Sequence, residues 1–542
     1  MDLTTLRAMA DATPTSRNRV VDFLRALAIT VVVLGHWLIA AVVIRDGAVV
    51  PNAVLNIATW SHPLTWVFQV MPVFFLVGGY ANALSWRSAR SSGVPYAGWL
   101  RARLTRLGTP VVPLLVTWLV LASTAYSLGV PGSTLRLASQ VALVPTWFLA
   151  AYILVVMVAP ATLALWERWR WWSVLAGLGL SLAVDAASIG TGEVLIGFLN
   201  YLVAWATVHQ LGYAWVDGAL AYRARRVALA GAGLAGLVLA VWPGPYPLSM
   251  IGVDGAELNN SYPTRVTMLL LGMLQAGIIL LAERPLARML QGRRLWLATI
   301  AVNARIMTLY LWHLTVMVLM VGLSLLLGGF GLGWEPLSAA WWATRPLWVG
   351  VLAAVVLGFV ALLGRFESPR RDHRPPPAVW VAVAAGVLTC GGLAVMAKFG
   401  IVDDEGVNWV WPLLPIAGQL LLRLVPWRRP GEPRARARAR RDGGRQAPEG
   451  ASSPPARSAQ ARSQSAASRD RSARWSAIRA PRPLRLTRIP SSAHSARASS
   501  RRWSGRSPYA LVTRHHDTVS PQWRMTEPTW RGPTPTSAAM SP

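Results

Sequence analysis

From Asp22 to about residue 426 the chain alternates long apolar runs with short polar segments. The runs lie at about 22–44, 64–85, 109–128, 144–164, 171–188, 194–212, 227–243, 266–282, 297–328, 346–364, 378–396 and 407–426. A helix needs roughly 20 apolar residues to cross the hydrocarbon core of a bilayer. Backbone groups in lipid must find their hydrogen bonds within the segment, so the pattern predicts twelve membrane helices. The 297–328 run is long enough to cross with tilt or to include an interfacial entry segment. The expected fold class is all-α, a polytopic membrane helical bundle.

The alternation stops near residue 428. The stretch 428–542 is rich in Arg, Ser, Ala and Pro, as in RARARARR from Arg434 to Arg441, and has no sustained periodicity. Such a segment cannot bury a core and reads as a disordered basic cytoplasmic tail, solvated or touching anionic headgroups. Residues 1–16 read as a flexible cytoplasmic N-terminus. No secretory cleavage pattern precedes the first run, which is too long for a signal peptide and is expected to persist as a helix.

Composition excludes a soluble domain. Hydrophobic residues make up 54% of the 542, charged residues only 14%, and the mean hydropathy is +0.40. Soluble domains carry about 25% charged residues. The net charge of +30 suggests a nucleic-acid partner, but 24 Arg against 6 acids in 428–542 supply +18 of it. Elsewhere the basic residues sit in short loops, and no specific nucleic acid is expected as a partner. With the N-terminus in the cytoplasm, the cytoplasmic loops hold 18 Lys or Arg and the opposite loops 5, with the bias alternating loop by loop. This is the pattern that orients membrane proteins, and it puts both termini inside, in a multi-pass protein of the cell membrane. Cys390 is the single cysteine, which excludes an intrachain disulfide and a multi-cysteine metal site. No Walker loop or HExxH motif occurs, and the GxGxxG-like string of Gly231, Gly233 and Gly236 lies in an apolar run, where helix packing is the expected role.

Against this background the first run stands out. RNRVVDFLRALAITVVVLGHW, from Arg17 to Trp37, carries Asp22, Arg25 and His36. Ionisable groups inside a span are costly and are functional candidates by default. Asp22 and Arg25, three apart, are neighbours on one face. Arg25 and His36, eleven apart, return to nearly the same face about 16 Å along the helix, which puts Arg25 near the cytoplasmic headgroups and His36 near mid-membrane. Separately, Arg25 reads as a snorkelling anchor and His36 as an interhelical hydrogen bonder; the pairing on one face argues for function. Three further patches accompany them. PVFFLVGGYAN, from Pro72 to Asn82, has Gly78 and Gly79 to permit close backbone approach. RARLTRLGTP, from Arg101 to Pro110, sets Arg103 and Arg106 on one face, suited to clamping phosphates or simply to fixing topology. TLYLWH, from Thr308 to His313, puts a second His in a span. Asp185 and His209 read as helix-packing partners. The external loop with Asp254, Glu257, Asn259 and Asn260 reads as solvated, and so does the turn Asp403–Glu405. No metal site is expected.

At these residues the chain resembles the acyltransferase 3 family of membrane-bound acyltransferases. The family's Arg, ten residues, then His in the first helix is matched by Arg25 and His36. Its Arg-x-x-Arg before the third helix is matched by Arg103 and Arg106. Its aromatic–Gly–Tyr patch is similar to Phe74 to Tyr80, with Gly78 where many members have Ser. Its late Tyr-Leu-Trp-His stretch is similar to Tyr310 to His313. The resemblance spans about 17–365, implying a ten-helix acyltransferase core, with two additional transmembrane helices in 366–427.

The resemblance implies transfer of an acyl group, often acetyl, from cytoplasmic acyl-coenzyme A to a hydroxyl of an envelope carbohydrate, glycolipid or similar acceptor. The enzyme would transfer groups other than amino-acyl groups, with no permanently bound cofactor and acyl-CoA as donor substrate. Acyl transfer needs a base for the hydroxyl, a held thioester and a stabilised oxyanion. His36 is the expected general base, its neutral imidazole favoured by low dielectric, with a transient acyl-histidine as the other route. Arg25 would bind donor phosphate or polarise the thioester carbonyl, and Arg103 and Arg106 would hold coenzyme A phosphates. Asp22 would orient Arg25. Phe75, Gly78, Gly79, Tyr80, Tyr310 and Trp312 would support or line the pocket. His313 would bind the acceptor, line the pocket or make a structural hydrogen bond. A twelve-helix solute transporter binding substrate through Arg25 and His36 is the alternative, disfavoured by the lack of related halves.

Overall fold

The structure is a computed structural model that describes residues 3–14, 16–45, 48–367, 374–403 and 405–424. The tail expected over 428–542 lies outside the described residues. A helix stands in each of the twelve apolar runs. Among the described residues nine are long and apolar enough to cross a membrane, or eleven if two bent pairs each count as one span. The remaining run holds Val410–Leu424, whose 15 residues span about 22 Å, less than the roughly 30 Å core. The chain is therefore an all-α polytopic bundle.

The first membrane helix, α1, is Arg19–Ile39, with Asn18 Oδ1 accepting from Val20 N at 3.0 Å as its cap. It ends five residues before the apolar run does. The run Val42-Val43-Ile44 is β-branched, which disfavours helix and suits extended backbone. Strand β1, Ala40–Arg45, accordingly pairs antiparallel with β2, Ala48–Ala53, in register from Arg45↔Ala48 to Ala40↔Ala53. The early stop leaves His36 in the last turn of α1.

Helix α2, Met71–Ser91, follows a broken lead-in of two short helical turns and opens with Pro72 in its first turn, where the missing N–H costs nothing. Next come α3 (Tyr96–Gly108) and α4 (Val111–Ser127), bent by 41° at their junction, then α5 (Pro145–Trp169), α6 (Trp171–Thr191) and α7 (Asn200–Val216). The rest are α8 (Arg223–Val241), α9 (Val266–Leu281), α10 (Ile306–Leu326), α11 (Ala339–Leu363), α12 (Val379–Phe399) and α13 (Val410–Leu424). The long 297–328 run divides at Arg305 into Arg293–Ala304 and α10.

Glycines set the closest crossings. A Cβ on Gly79 would lie 1.9 Å from the His209 carbonyl oxygen, and one on Gly212 would lie 2.2 Å from the Leu76 carbonyl oxygen, so α2 and α7 touch backbone to backbone. Gly233 of α8 meets Leu274 of α9 in the same way, consistent with packing for the glycine string. In the C-terminal pair, Gly392 of α12 abuts Pro415 of α13, and Gly418 abuts the Ala385 carbonyl. This pair is joined to the preceding helices: Cys390 Sγ donates to the Ala150 carbonyl at 3.4 Å, and Thr146 Oγ1 to the Leu393 carbonyl at 2.9 Å.

Candidate active site

α1 lies against α2 and α10, and its contact with α10 brings together two histidines 277 residues apart. His36 Nδ1 lies 2.8 Å from His313 Nε2, the rings nearly coplanar at 3° and meeting edge to edge. His313 Nδ1 lies 2.6 Å from the Tyr310 carbonyl oxygen. A carbonyl only accepts, so this nitrogen carries the hydrogen. In a neutral ring His313 Nε2 is then bare and accepts from His36 Nδ1–H, which leaves His36 Nε2 as the proton-accepting nitrogen. The hydrogens are assigned from this network. Trp37 Nε1 donates to the His313 carbonyl at 3.1 Å and ties the two helices together beside the pair. His313 is fully buried, and His36 is half-buried at the wall of a cavity of about 990 Å³.

That cavity opens to the surface and is lined mainly by the second half of α1, the lead-in to α2, the first half of α5 and the second half of α12. Tyr310 also lines it, with its hydroxyl donating to the Pro145 carbonyl at 2.5 Å. Its rim carries exposed aromatic residues, among them Trp60, Phe68 and Tyr262.

Toward the other end of α1 is an arginine cluster. Arg25 is within electrostatic range of Asp22, Arg106, Arg17 and Tyr152, and Arg103 is within range of Tyr152, Arg106 and Arg25. Arg103 lies over the Trp99 ring at 5.6 Å. Among the described residues Asp22 is the only carboxylate paired with this cluster. Its stronger partner is Arg17, at 2.5 and 3.0 Å, whereas Arg25 approaches only to 3.8 Å. The Arg17–Asp22 hydrogen bond outweighs burial and raises the Arg17 pKa. Among the described residues no carboxylate is hydrogen-bonded to Arg25, Arg103 or Arg106. Arg101 is differently employed, holding the carbonyls of Pro375 and Arg374 at 2.7 and 2.6 Å.

The other predicted residues pack the bundle. Phe75 is wholly buried and stacked on Trp205 with centroids 4.5 Å apart. Tyr80 stands edge-on to Trp215 at 4.9 Å, and Trp312 faces Phe359 at 5.1 Å. A Cβ on Gly78 would lie 2.8 Å from the Tyr152 ring. None of Phe75, Gly78, Tyr80 and Trp312 is among the residues lining the cavity. Asp185 accepts from Asn200 Nδ2, Tyr246 Oη and Val266 N at 2.9, 3.0 and 2.8 Å, and His209 bonds Tyr213 Oη at 2.8 Å and Asn82 Nδ2 at 3.1 Å, so both join helices. Asn260 is likewise committed, to the carbonyls of Pro247 and Ser249. Sequence reasoning did not single out Tyr152, which lies mid-way in an apolar run with no local cue, or Lys398 at the cavity wall.

The family model of the acyltransferase 3 family, described as an acyltransferase domain, matches residues 18–365. Comparison with curated proteins and with solved structures gives no match. The family match takes in α1 to α11, with Arg25, Arg103, Arg106 and both histidines, and ends before α12. The chain thus belongs to the acyltransferase 3 family and is a membrane acyltransferase.

Proposed function

We propose that the protein transfers an acyl group, acetyl in the simplest case, from cytoplasmic acyl-coenzyme A to a hydroxyl of a membrane- or envelope-borne acceptor, with His36 as general base. The observation that carries this reading is the chain from the Tyr310 carbonyl through His313 to His36, which leaves His36 Nε2 as a proton acceptor at a cavity wall. The acceptor hydroxyl would give its proton to Nε2 as its oxygen attacks the acyl carbon. The C–S bond then breaks, and the sulfur leaves as the thiol with that proton. His313 would share the positive charge that His36 gains.

Arg25, Arg103 and Arg106 would bind the donor's phosphates. α1 is unbroken between Arg25 and His36, which keeps them about 16 Å apart along its axis. An extended pantetheine arm bridges a gap of this kind, with phosphates at the arginines and thioester at His36. The same separation favours phosphate binding over carbonyl polarisation for Arg25. The Arg-rich loops would face the cytoplasm, where acyl-coenzyme A is made.

The test is acyl transfer by purified full-length protein with labelled acetyl-coenzyme A. His36→Ala should lower the rate at least about 100-fold while donor binding survives. Arg103→Ala with Arg106→Ala should raise KM for acetyl-coenzyme A and leave that for acetyl-pantetheine, which lacks the nucleotide phosphates, unchanged. Undiminished transfer by the His36 variant would rule out the mechanism.

A further inference from the structure

The cavity that His36 faces has a wall lying outside the family match. The match ends at residue 365, whereas the wall from Cys390 to Phe399 belongs to α12. Lys398 stands in this wall and is the only lysine in the sequence. It is exposed, with its ammonium 5.0 Å from the Phe399 ring centroid and 6.0 Å from that of Tyr262, and no ion-pair partner among the described residues. Among the residues lining the cavity it is the only one with a permanent charge.

Of the six hydroxyls lining the cavity, all but that of Tyr262 at its rim are turned toward the protein's own backbone. Ser61 donates to the Ala58 carbonyl, Thr65 to that of His62 and Ser261 to that of Met250, each at 2.6 Å. Tyr201 donates to the Ser261 carbonyl at 3.2 Å, and Tyr310 is held by Pro145. A sugar in this space would leave hydroxyls against apolar side chains, and each unpaired polar group carries its full desolvation cost. An apolar body would instead gain from burial. Of the basic groups lining the cavity, His36 Nε2 remains for one hydroxyl and Lys398 for one anion.

We propose that the acceptor is an amphiphile of the hydroxylated long-chain acid class, its hydroxyl at His36, its apolar body along the α12 wall and its anionic group at Lys398. This rests on the acyl-transfer reading and narrows its acceptor. The bond changes are those given above: the acceptor O–H loses its proton to His36, the ester C–O bond forms, and the thioester C–S bond breaks to release coenzyme A thiol.

The test is binding of labelled 12-hydroxyoctadecanoic acid, and of its methyl ester, to the purified full-length protein in detergent. An added Cβ on Gly391 meets no atom within 4 Å, so Gly391→Phe puts a ring into open space at the wall without a clash at its root. It should weaken binding at least about tenfold by filling the site. Lys398→Gln should weaken acid binding about fivefold, as expected for a solvent-screened charge pair, and leave ester binding unchanged. Binding that survives Gly391→Phe, equal binding of acid and ester by the unsubstituted protein, or equal displacement by phosphatidylglycerol would overturn the inference. So would a Gly391→Phe effect confined to the preferred length of the donor's acyl chain. Acetyl transfer to methyl glucoside but not to the hydroxy acid would overturn it and leave the acyl-transfer reading standing. Binding as expected, with no coenzyme A release on adding acetyl-coenzyme A, would overturn that reading instead.

Discussion

At His313 Nδ1 the hydrogen bond to the Tyr310 carbonyl dictates which proton each ring of the pair carries. His313 touches neither donor nor acceptor in the proposed mechanism and acts through His36 as a positioning residue. His313→Ala should therefore lower kcat by about 10- to 100-fold with little change in KM for acetyl-coenzyme A. His313→Gln, whose Oε1 can accept from His36 Nδ1–H, should recover much of the loss. Steady-state kinetics on the two variants checks this, since a purely structural defect would also move KM and escape rescue by Gln. Both histidines were conspicuous in the sequence because each is an ionisable group in an apolar run. Their meeting was not legible, because no helical periodicity links positions 277 residues apart. The reverse holds for Phe75 and Trp312. They stand in the motif patches, yet their side chains fill helix–helix contacts and not the cavity wall.

Between elements, the helix ends are joined by charge as well as by packing. Asp217, just beyond α7, accepts from Arg87 of α2 at 2.6 Å, from Trp166 of α5 at 2.9 Å and from Arg170 at 2.6 Å. Burial opposes its charge, but the hydrogen bonds from Arg87, Trp166 and Arg170 outweigh burial and hold its pKa below the ordinary value. A depressed carboxylate stabilises the fold above the ordinary range, near 4, and loses that contribution as pH falls through the folded value. Asp217→Asn should cost about 2 kcal/mol at pH 7, and the gap to the unsubstituted protein should close below about pH 4. Thermal unfolding in detergent between pH 3 and 7 reads this; a gap that persists in acid would assign the loss to packing. Each predicted run holds a helix among the described residues, because burial in lipid demands long apolar stretches, although Val410–Leu424 is shorter than a full span. The runs misplaced the end of α1, where β-branched residues suit a strand as well as an apolar span.

Across the whole molecule, the two ends of α1 face different chemistry, arginines near its start and an apolar cavity near its finish. Loop charge predicts that the arginine end is cytoplasmic. Single cysteines introduced as Ala12→Cys and Ala256→Cys in a Cys390→Ser background should test this with a membrane-impermeant thiol reagent. Position 256 should label in intact cells and position 12 only after permeabilisation. Labelling of position 12 in intact cells would reverse the proposed donor side. The two C-terminal helices, α12 and α13, pack on the rest of the bundle, and α12 completes the cavity.

The order and chemistry of the spans, the family motifs and the charge bias of the loops were all written in the sequence, because lipid imposes its demands residue by residue along the chain. The tertiary structure decided which ionisable groups meet. It set His36 on His313, bound Asp22 to Arg17 more closely than to Arg25, and brought the wall carrying Lys398 to the cavity that His36 faces. These are contacts across different helices or turns of the backbone, and only the packed bundle specifies them.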